Sequence, residues 1–365
     1  MSETKNTTVK IILTGILATL LVLALAALCT FFFEVQFYVD WVATVFMAAT
    51  PAQVIIGLLW HNEHPAGIAK LSQPAKGIAL TGLSVACAVF VMALVILLVS
   101  GGHGITPMLV QFMIVSVITV LWIVPIWQCW PISIFVKNPV ILGIITLLFS
   151  YTLAYTIWQV LFDYELLATI GHPLYFADIA PTGLFDMWIV TSFLVTTVSL
   201  IVVHMLFEFW PINKLSLGMP QPIRGMVATA YLLSLAWFIR YLFVDVLEIE
   251  QVDYMVRGPV SLIFGVFLVN NMMQFSLFPK LIQPIRGVTL TICALMMAFA
   301  MYELYESASM LHAGSILASG PQGGYSRELW IASAMLGVTF PIIFIVSGFF
   351  AFWPLQGLVK KETVK

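Results

Sequence analysis

Long, uninterrupted apolar runs constrain the fold of this chain more than any other feature. A helix rises 1.5 Å per residue, so about 20 residues cross the roughly 30 Å hydrocarbon core of a bilayer. The runs are continuously apolar and do not alternate as barrel strands would, so each is predicted to be a transmembrane helix. Ten such spans are predicted, at 11–33, 41–60, 77–100, 107–130, 139–161, 187–210, 225–244, 258–276, 287–310 and 329–353.

Composition excludes a water-soluble core as the place where these runs are buried. Apolar residues make up 61% of the 365 residues and charged residues 9%, whereas soluble domains have about 45–50% and about 25%. The area that a chain buries grows too slowly with length to hide this much apolar surface. We therefore predict an all-α, polytopic transmembrane helical bundle that forms a single integral membrane domain over residues 1–365, with the lipid bilayer as its solvent.

The distribution of charge predicts the orientation. Of the fifteen lysines and arginines, twelve fall at one set of span ends, and thirteen of the seventeen acidic residues fall at the opposite set. Basic residues favour the cytoplasmic side of a membrane. Both termini are therefore expected in the cytoplasm, in a multi-pass protein of the cell membrane. The net charge of −2 favours no nucleic-acid partner.

A short motif recurs at the predicted cytoplasmic connections. One span ends in an aromatic residue and proline, and the next begins with an amide residue, proline and then glycine. Tryptophan is typical of membrane interfaces, and proline is tolerated at the first position of a helix. The endings are Trp130-Pro131, Trp210-Pro211, Phe278-Pro279 and Trp353-Pro354, and the beginnings are Gln73-Pro74, Asn138-Pro139, Gln221-Pro222 and Gln283-Pro284.

This motif divides the chain into successive helical hairpins that all enter from the same side. They form a parallel internal repeat, unlike the inverted repeats of many secondary transporters. The motif is weakest in the first hairpin, which allows that hairpin to be an addition to the rest. The predicted hairpins are 11–60, 77–130, 139–210, 225–276 and 287–353.

Ionisable residues inside the spans are candidates for a substrate or ion pathway, because burying charge in lipid is costly. Arg240 and Glu303 fall at similar depths in their spans, and an ion pair between them is one hypothesis. A structural ion pair or snorkelling of the charges towards water is the alternative. The corresponding position in the third hairpin is Gln159, and further polar residues follow about one turn later at Asp163, Asp245 and Glu306.

A second polar layer is predicted near the cytoplasmic side. His204 and Glu208 are four residues apart in the sixth span, so in a continuous helix they share a face. They could form part of a proton or substrate relay, or they could make hydrogen bonds between helices.

Histidines and a carboxylate in the outer loops could bind a transition metal. These residues are His103, His172, His312 and Asp178, and imidazole suits copper, zinc or iron. Their spacing matches no recognised metal motif, so the cofactor stays undetermined, and solvated or capping roles are the alternative.

The leading functional hypothesis is a membrane transporter or channel-like carrier for a small solute or ion. It rests on the ten spans, the two polar layers and the near absence of soluble mass. Two alternatives remain open: a membrane-embedded metal-dependent enzyme or membrane subunit of a redox complex, and a non-catalytic scaffold. Membrane-protein partners or a homo-oligomer fit any of the three.

Overall fold

The computed structural model describes residues 2–168, 175–320 and 325–355, and the described chain is almost entirely helical. Ten main helices follow one another along the sequence. Their bounds are α1 Ser2–Phe31, α2 Val35–Leu59, α3 Ala75–Leu98, α4 Pro107–Ile123, α5 Pro139–Leu161, α6 Met187–Leu206, α7 Ile223–Val246, α8 Gln251–Met272, α9 Ile285–Ala313 and α10 Ser326–Phe349.

Short elements occur in the connections between these helices. Two strands of two residues each, β1 Phe162–Asp163 and β2 Phe185–Asp186, pair in parallel. They join the end of α5 to the start of α6. The remaining elements are one-turn helices at Ala66–Ala69, Ile132–Phe135, Glu165–Ala168 and Ile212–Leu215, and a 3₁₀ turn at Gly314–Ile316.

Nine of the helices in the described chain are long and apolar enough to cross a bilayer. This suggests a multi-pass membrane protein. The exception is the predicted span 107–130, which is helical only over Pro107–Ile123. Its 17 residues rise about 26 Å. Turns follow it, and Pro125 has no N–H to continue the helical bonding.

The predicted span 258–276 begins too late, because α8 starts at Gln251 and ends at Met272. The carboxylate of Glu250 caps this helix by accepting hydrogen bonds from the N–H groups of Val252 and Asp253, at 2.9 and 2.8 Å. Asp253 also pairs with Arg257 one turn later, at 2.5 Å. Charged residues therefore begin this helix, where a search for apolar runs does not place them.

Widened π-helical turns occur in four of the described helices, α2, α7, α8 and α10. Such turns leave room for a proline or a bend inside a helix. They lie at Tyr38–Ala43, Ile55–Leu59, Tyr241–Val246, Val256–Val260, Leu268–Met272, Ser333–Thr339 and Ile345–Phe349.

The ten helices form two layers. In the most apolar stretch of each odd-numbered helix, 17–28% of the residues are buried, compared with 67–78% in α2, α6, α8 and α10. Most residues of α4 are also buried. Each even-numbered helix contacts the next one along the chain, and α10 contacts α2. The even-numbered helices therefore form a closed inner ring, with the odd-numbered helices outside it.

The outer surface of the bundle is apolar. Large hydrophobic side chains on the odd-numbered helices point outwards, including Phe299, which is 70% exposed, and Leu97, which is 67% exposed. A monomeric soluble protein rarely exposes contiguous apolar surface on this scale. These faces fit hydrocarbon as their surrounding medium.

The bundle has two different ends. We call the end where the even-numbered helices finish the turn end, and the end where the odd-numbered helices finish the loop end.

Candidate functional site

A cavity of about 70 Å³ lies at the centre of the inner ring. All five inner helices contribute to its wall, and the described outer helices contribute none of it. Its wall consists of Met47, Thr50, Ile114, Val117, Ile118, Leu121, Val195, Val198, Ile263, Leu336 and Phe340.

The cavity is almost wholly apolar. Among the lining residues, Thr50 alone has a polar side chain, and its hydroxyl donates to the carbonyl of Phe46 at 3.4 Å. One water occupies roughly 30 Å³ in the liquid, and cavities lined by apolar side chains stay dry. The centre of the bundle is therefore a small apolar space in this conformation.

The turn end holds the inner helices in one recurring backbone geometry. After each inner helix, two successive non-glycine residues adopt φ between 47° and 63°. The N–H of the second residue donates to a carbonyl five or six residues earlier, at 2.7–3.0 Å. This bonding satisfies carbonyls at a helix C-terminus, as a Schellman motif does. The pairs are His61-Asn62, Gln128-Cys129, Glu208-Phe209, Gln274-Phe275 and Ala351-Phe352.

Three glutamines join the start of an outer helix to the end of an inner helix. Each side-chain carbonyl accepts from the N–H of the glycine four residues later, at 3.0–3.1 Å. Each side-chain amide donates to a backbone carbonyl of another hairpin, at 2.7–3.4 Å. The glutamines, with their glycine and carbonyl partners, are Gln73 (Gly77, Phe349), Gln221 (Gly225, Ile126) and Gln283 (Gly287, Leu206).

Asn138 departs from this pattern. Its carbonyl caps α5 by accepting from the N–H groups of Val140 and Ile141, at 3.0 and 3.2 Å. The link to an inner helix is made instead by the Trp60 indole, which donates to the carbonyl of Pro139 at 2.7 Å.

We call the five pairs of successive residues with positive φ the left-handed pairs. A glycine of each outer helix packs against the residue just before one of them. A Cβ on Gly77 would lie 2.7 Å from the ring of Phe350, and one on Gly225 would lie 2.9 Å from Trp127. These contacts leave no room for a larger residue. The five contacts are Gly15 with Met273, Gly77 with Phe350, Gly143 with Trp60, Gly225 with Trp127 and Gly287 with Phe207.

These contacts follow one rule around the bundle. The outer helix of each hairpin contacts the inner helix of the hairpin two places earlier in the chain. Around the closed ring, the first hairpin therefore contacts the fourth, and the second contacts the fifth. The first hairpin takes part through Gly15, although its sequence motif is weak. Its packing at the turn end therefore matches that of the other four.

Arg240 forms its ion pair with Asp245 and not with Glu303. The Arg240 guanidinium lies 3.0 Å from the Asp245 carboxylate on the same helix. Its Nε donates to the hydroxyl of Ser192 on α6 at 3.3 Å, and Gln251 of α8 donates to the same hydroxyl at 2.9 Å. Ser192 is fully buried. Arg240 therefore ties α7 to α6 near the loop end, which fits the structural alternative.

The other predicted outer-layer residues do not join this cluster. Glu303 is exposed on α9, and Glu306 of the same helix is half-buried. Gln159 is exposed and donates to the Tyr155 hydroxyl on its own helix at 3.3 Å. Asp163 accepts from the N–H of Glu165 at 3.0 Å. Gln159 and Asp163 therefore make only local contacts near the end of α5.

Two of the four predicted metal ligands lie together. His103 Nε2 is 3.1 Å from the Asp178 carboxylate, and its ring stacks on Phe176 at 4.1 Å. His312 lies at the end of α9, where its Nε2–H donates to the carbonyl of Phe33 at 2.9 Å. His172 lies outside the described residues. Within the described chain, no three metal-binding side chains form a cluster.

His204 and Glu208 do not share a helical face, so this prediction is wrong. α6 ends at Leu206, and Glu208 follows in a left-handed turn with φ 54°. His204 is buried and its Nδ1–H donates to the carbonyl of Leu200 at 2.7 Å. Glu208 is exposed and pairs with Arg286 at 3.2 Å. Glu208 therefore belongs to the contacts between hairpins at the turn end.

Nine apolar helices in the described chain and an apolar outer surface suggest a multi-pass membrane protein, and its fold is an all-α bundle with a central apolar cavity. Searches of protein-family models, curated proteins and solved structures find no match to this chain.

Sequence reasoning missed the central cavity, because its lining residues are ordinary apolar residues of apolar spans. A sequence signal for the cavity does exist in the number of residues between a lining residue and the left-handed pair that follows it. Thr50, Val117, Ile263 and Phe340 all lie 11 residues before the first residue of their pairs. Aligning the spans on their turn-end motifs would have placed these four at one level.

Proposed function

We propose that this protein is a membrane channel or carrier for a small solute or ion, and that its pathway runs through the inner ring. The central cavity carries this proposal, because five separate inner helices line it and none of the described outer helices does. A path along the ring axis would be lined by the most buried helices and shielded from lipid by the outer layer.

We further propose that the chain consists of five parallel hairpins with approximate five-fold symmetry. The recurring left-handed pairs and glycine contacts support this reading. A ring of equivalent helices suits a pathway on its axis, since every helix then presents one face to the same point.

The apolar wall implies that the pathway is closed in this conformation. Moving a charge into an unhydrated apolar space is costly, and apolar constrictions gate channels by excluding water. Conduction requires the wall to become wider or more polar. With basic residues concentrated at the turn end, we propose that this end faces the cytoplasm of a cell membrane.

An isosteric pair of substitutions tests the pathway. Val117→Thr adds a hydroxyl to the cavity wall, and Thr50→Val removes the one that is present. Both changes nearly conserve volume, so they alter polarity more than packing. In proteoliposomes loaded with a panel of ions and small solutes, Val117→Thr should raise flux and Thr50→Val should lower it. A change of about tenfold corresponds to roughly 1.4 kcal/mol in the barrier.

Val89→Thr is the matched control, because Val89 lies on outer helix α3 and is 58% exposed. This variant should conduct as the original protein does. If all three variants conducted equally, or if no solute in the panel moved through any of them, the proposed pathway would be refuted.

The contact between His103 and Asp178 favours the metal-dependent enzyme as a second candidate. An imidazole and a carboxylate side by side could provide two ligands for a transition metal. Elemental analysis of the purified protein and of His103→Ala tests this alternative. A stoichiometric metal that is lost in the variant would support an enzyme, whereas equal trace metal in both proteins would count against it.

A further inference from the structure

A second, larger cavity of about 440 Å³ lies beside α4 and opens towards the outer surface of the bundle. Helices α5 and α7 flank it, and three tryptophans line its turn end. Its main lining residues are Trp122, Trp127, Trp130, Phe149, Leu153 and Ile157. We call this space the tryptophan groove.

The groove exists because α4 is short. The helix ends at Ile123, and the following turns carry two of the indole rings. The indole N–H groups of Trp122 and Trp127 both donate to the hydroxyl of Thr229 on α7, each at 3.1 Å. Their polar atoms are thereby satisfied, so the indoles present apolar surface to the groove.

The shape of the groove fits a flexible hydrocarbon chain that lies along the helices. Phe149, Leu153 and Ile157 are four residues apart, so they lie on one face of α5. They span about 12 Å of helix, and the groove continues from them to Trp130 and Pro131 at the turn end. Phe149 is 40% exposed on the outer face, so a chain could enter sideways from the surrounding lipid.

Two cations lie close in sequence to residues that line or pack on the turn end of the groove. Arg224 precedes Gly225, which packs on Trp127. Lys137 follows the groove residue Pro131 by six positions. Arg224 donates to the Asn213 side-chain carbonyl at 2.7 Å, and Lys137 donates to the carbonyl of Ser133 at 2.9 Å. Neither cation forms an ion pair within the described chain, so both charges remain available to an anion at this end.

We propose that the tryptophan groove binds one acyl chain of an anionic phospholipid, with its phosphate beside Arg224 and Lys137. This proposal rests on the membrane location but not on solute conduction. Ile118 lines both the groove and the central cavity, so the bound chain would pack against the outside of the proposed pathway.

Quenching of tryptophan fluorescence by brominated lipid tests the proposal. The full-length protein is reconstituted into phosphatidylcholine vesicles that contain a small fraction of either brominated phosphatidylglycerol or brominated phosphatidylcholine. Subtracting the fluorescence of Trp127→Phe from that of the original protein isolates the emission of a groove tryptophan. We expect the brominated anionic lipid to quench this emission at a several-fold lower mole fraction than the brominated neutral lipid.

Two variants separate the headgroup from the chain. Replacing both Arg224 and Lys137 by glutamine should make the two lipids quench equally. Leu153→Phe narrows the groove and should weaken quenching by both lipids, whereas Leu295→Phe on the exposed face of α9 should not.

Three outcomes would overturn the proposal. Equal quenching of the original protein by both lipids would indicate ordinary contact with bulk lipid. Quenching of other tryptophans without the Trp127-dependent emission would indicate a groove that is closed or holds another molecule. A complete lack of quenching would place the protein outside the bilayer. None of these readouts measures flux, so the lipid site and the proposed pathway are tested separately.

Discussion

Gln283 and Leu206 are 77 residues apart in the sequence, and the Gln283 side-chain amide donates a hydrogen bond of 2.9 Å to the Leu206 carbonyl. The Leu206 carbonyl belongs to the last turn of α6, where no further helical N–H is available to it. Through its other side-chain atom, Gln283 accepts from the N–H of Gly287. One side chain therefore completes the end of an inner helix and the beginning of an outer helix.

Replacing this glutamine should destabilise the bundle. Gln283→Leu leaves the Leu206 carbonyl and the Gly287 N–H without their partner, and each such loss costs about 1–3 kcal/mol. Thermal unfolding in detergent should show a clearly lower midpoint for this variant. Gln159→Leu is the control, because Gln159 is exposed and its partner Tyr155 is on the same helix. Equal midpoints for the two variants would contradict the proposed role of Gln283.

Two glycines of α3 should respond in opposite directions to the same substitution. A Cβ on Gly77 would lie 2.7 Å from the Phe350 ring, whereas one on Gly82 has no neighbour within 4 Å. Gly77→Ala should lower the free energy of unfolding by about 1–3 kcal/mol through overpacking. Gly82→Ala should leave it unchanged or raise it by up to about 1 kcal/mol through helix propensity. Thermal midpoints measured in one detergent compare them, and equal destabilisation would rule out the close contact.

Replacing Arg240 should lower the stability of the protein, whereas replacing Glu303 should not. Arg240→Gln removes the ion pair with Asp245 and weakens the link to Ser192, so the unfolding midpoint should fall. Glu303→Gln changes an exposed side chain, so stability should stay the same. Flux in proteoliposomes completes the comparison. A loss of flux in a fully stable Glu303→Gln protein would instead support Glu303 as part of the solute pathway.

Tyr325 should make stability fall in alkali. Burial, followed by its hydrogen bond to Glu250 and the charges of Glu250, Glu328 and Asp186, raises the pKa of Tyr325 from 10.0 to about 12. The folded protein thus holds this proton more tightly than the unfolded chain does. The resulting stabilisation is present below pH 10 and is lost as the pH rises towards 12.

Tyr325→Phe isolates this contribution. The phenylalanine variant cannot donate to Glu250 and has no phenol to titrate. Its free energy of unfolding should therefore not show the contribution of Tyr325 that the original protein loses between pH 10 and 12. Denaturation of both proteins at a series of pH values gives the difference. A difference that stays constant through this range would show that the Tyr325 pKa is not raised.

The sequence indicates the helices well and their packing poorly. Span lengths follow from bilayer thickness, which is why α3 and α5 agree closely with the predicted 77–100 and 139–161. The start of α8 was missed because Asp253 and Arg257 are charged, although they lie in its first two turns. Local patterns also place Gln283 at the start of a helix, but nothing in them identifies Leu206 as its partner.

For charged residues, the sequence identifies candidates but does not identify their partners. The free-energy cost of burying a charge correctly draws attention to Arg240. However, a nearby carboxylate such as that of Asp245 can neutralise this charge as well as a distant one can. Positions near a helix end carry a further uncertainty, because a turn such as the one at Glu208 breaks the helical spacing that relates it to His204.

Chemical modification of one cavity residue tests the central claim most directly. In a protein whose four native cysteines are replaced, Ile263→Cys places a thiol on the cavity wall, and Phe299→Cys places one on the lipid-facing surface. Each reconstituted variant is treated with a small uncharged thiol reagent, and mass spectrometry establishes the extent of modification. We predict that modification at position 263 changes solute flux and that modification at position 299 does not. Complete modification at position 263 with unchanged flux would contradict a pathway through the inner ring.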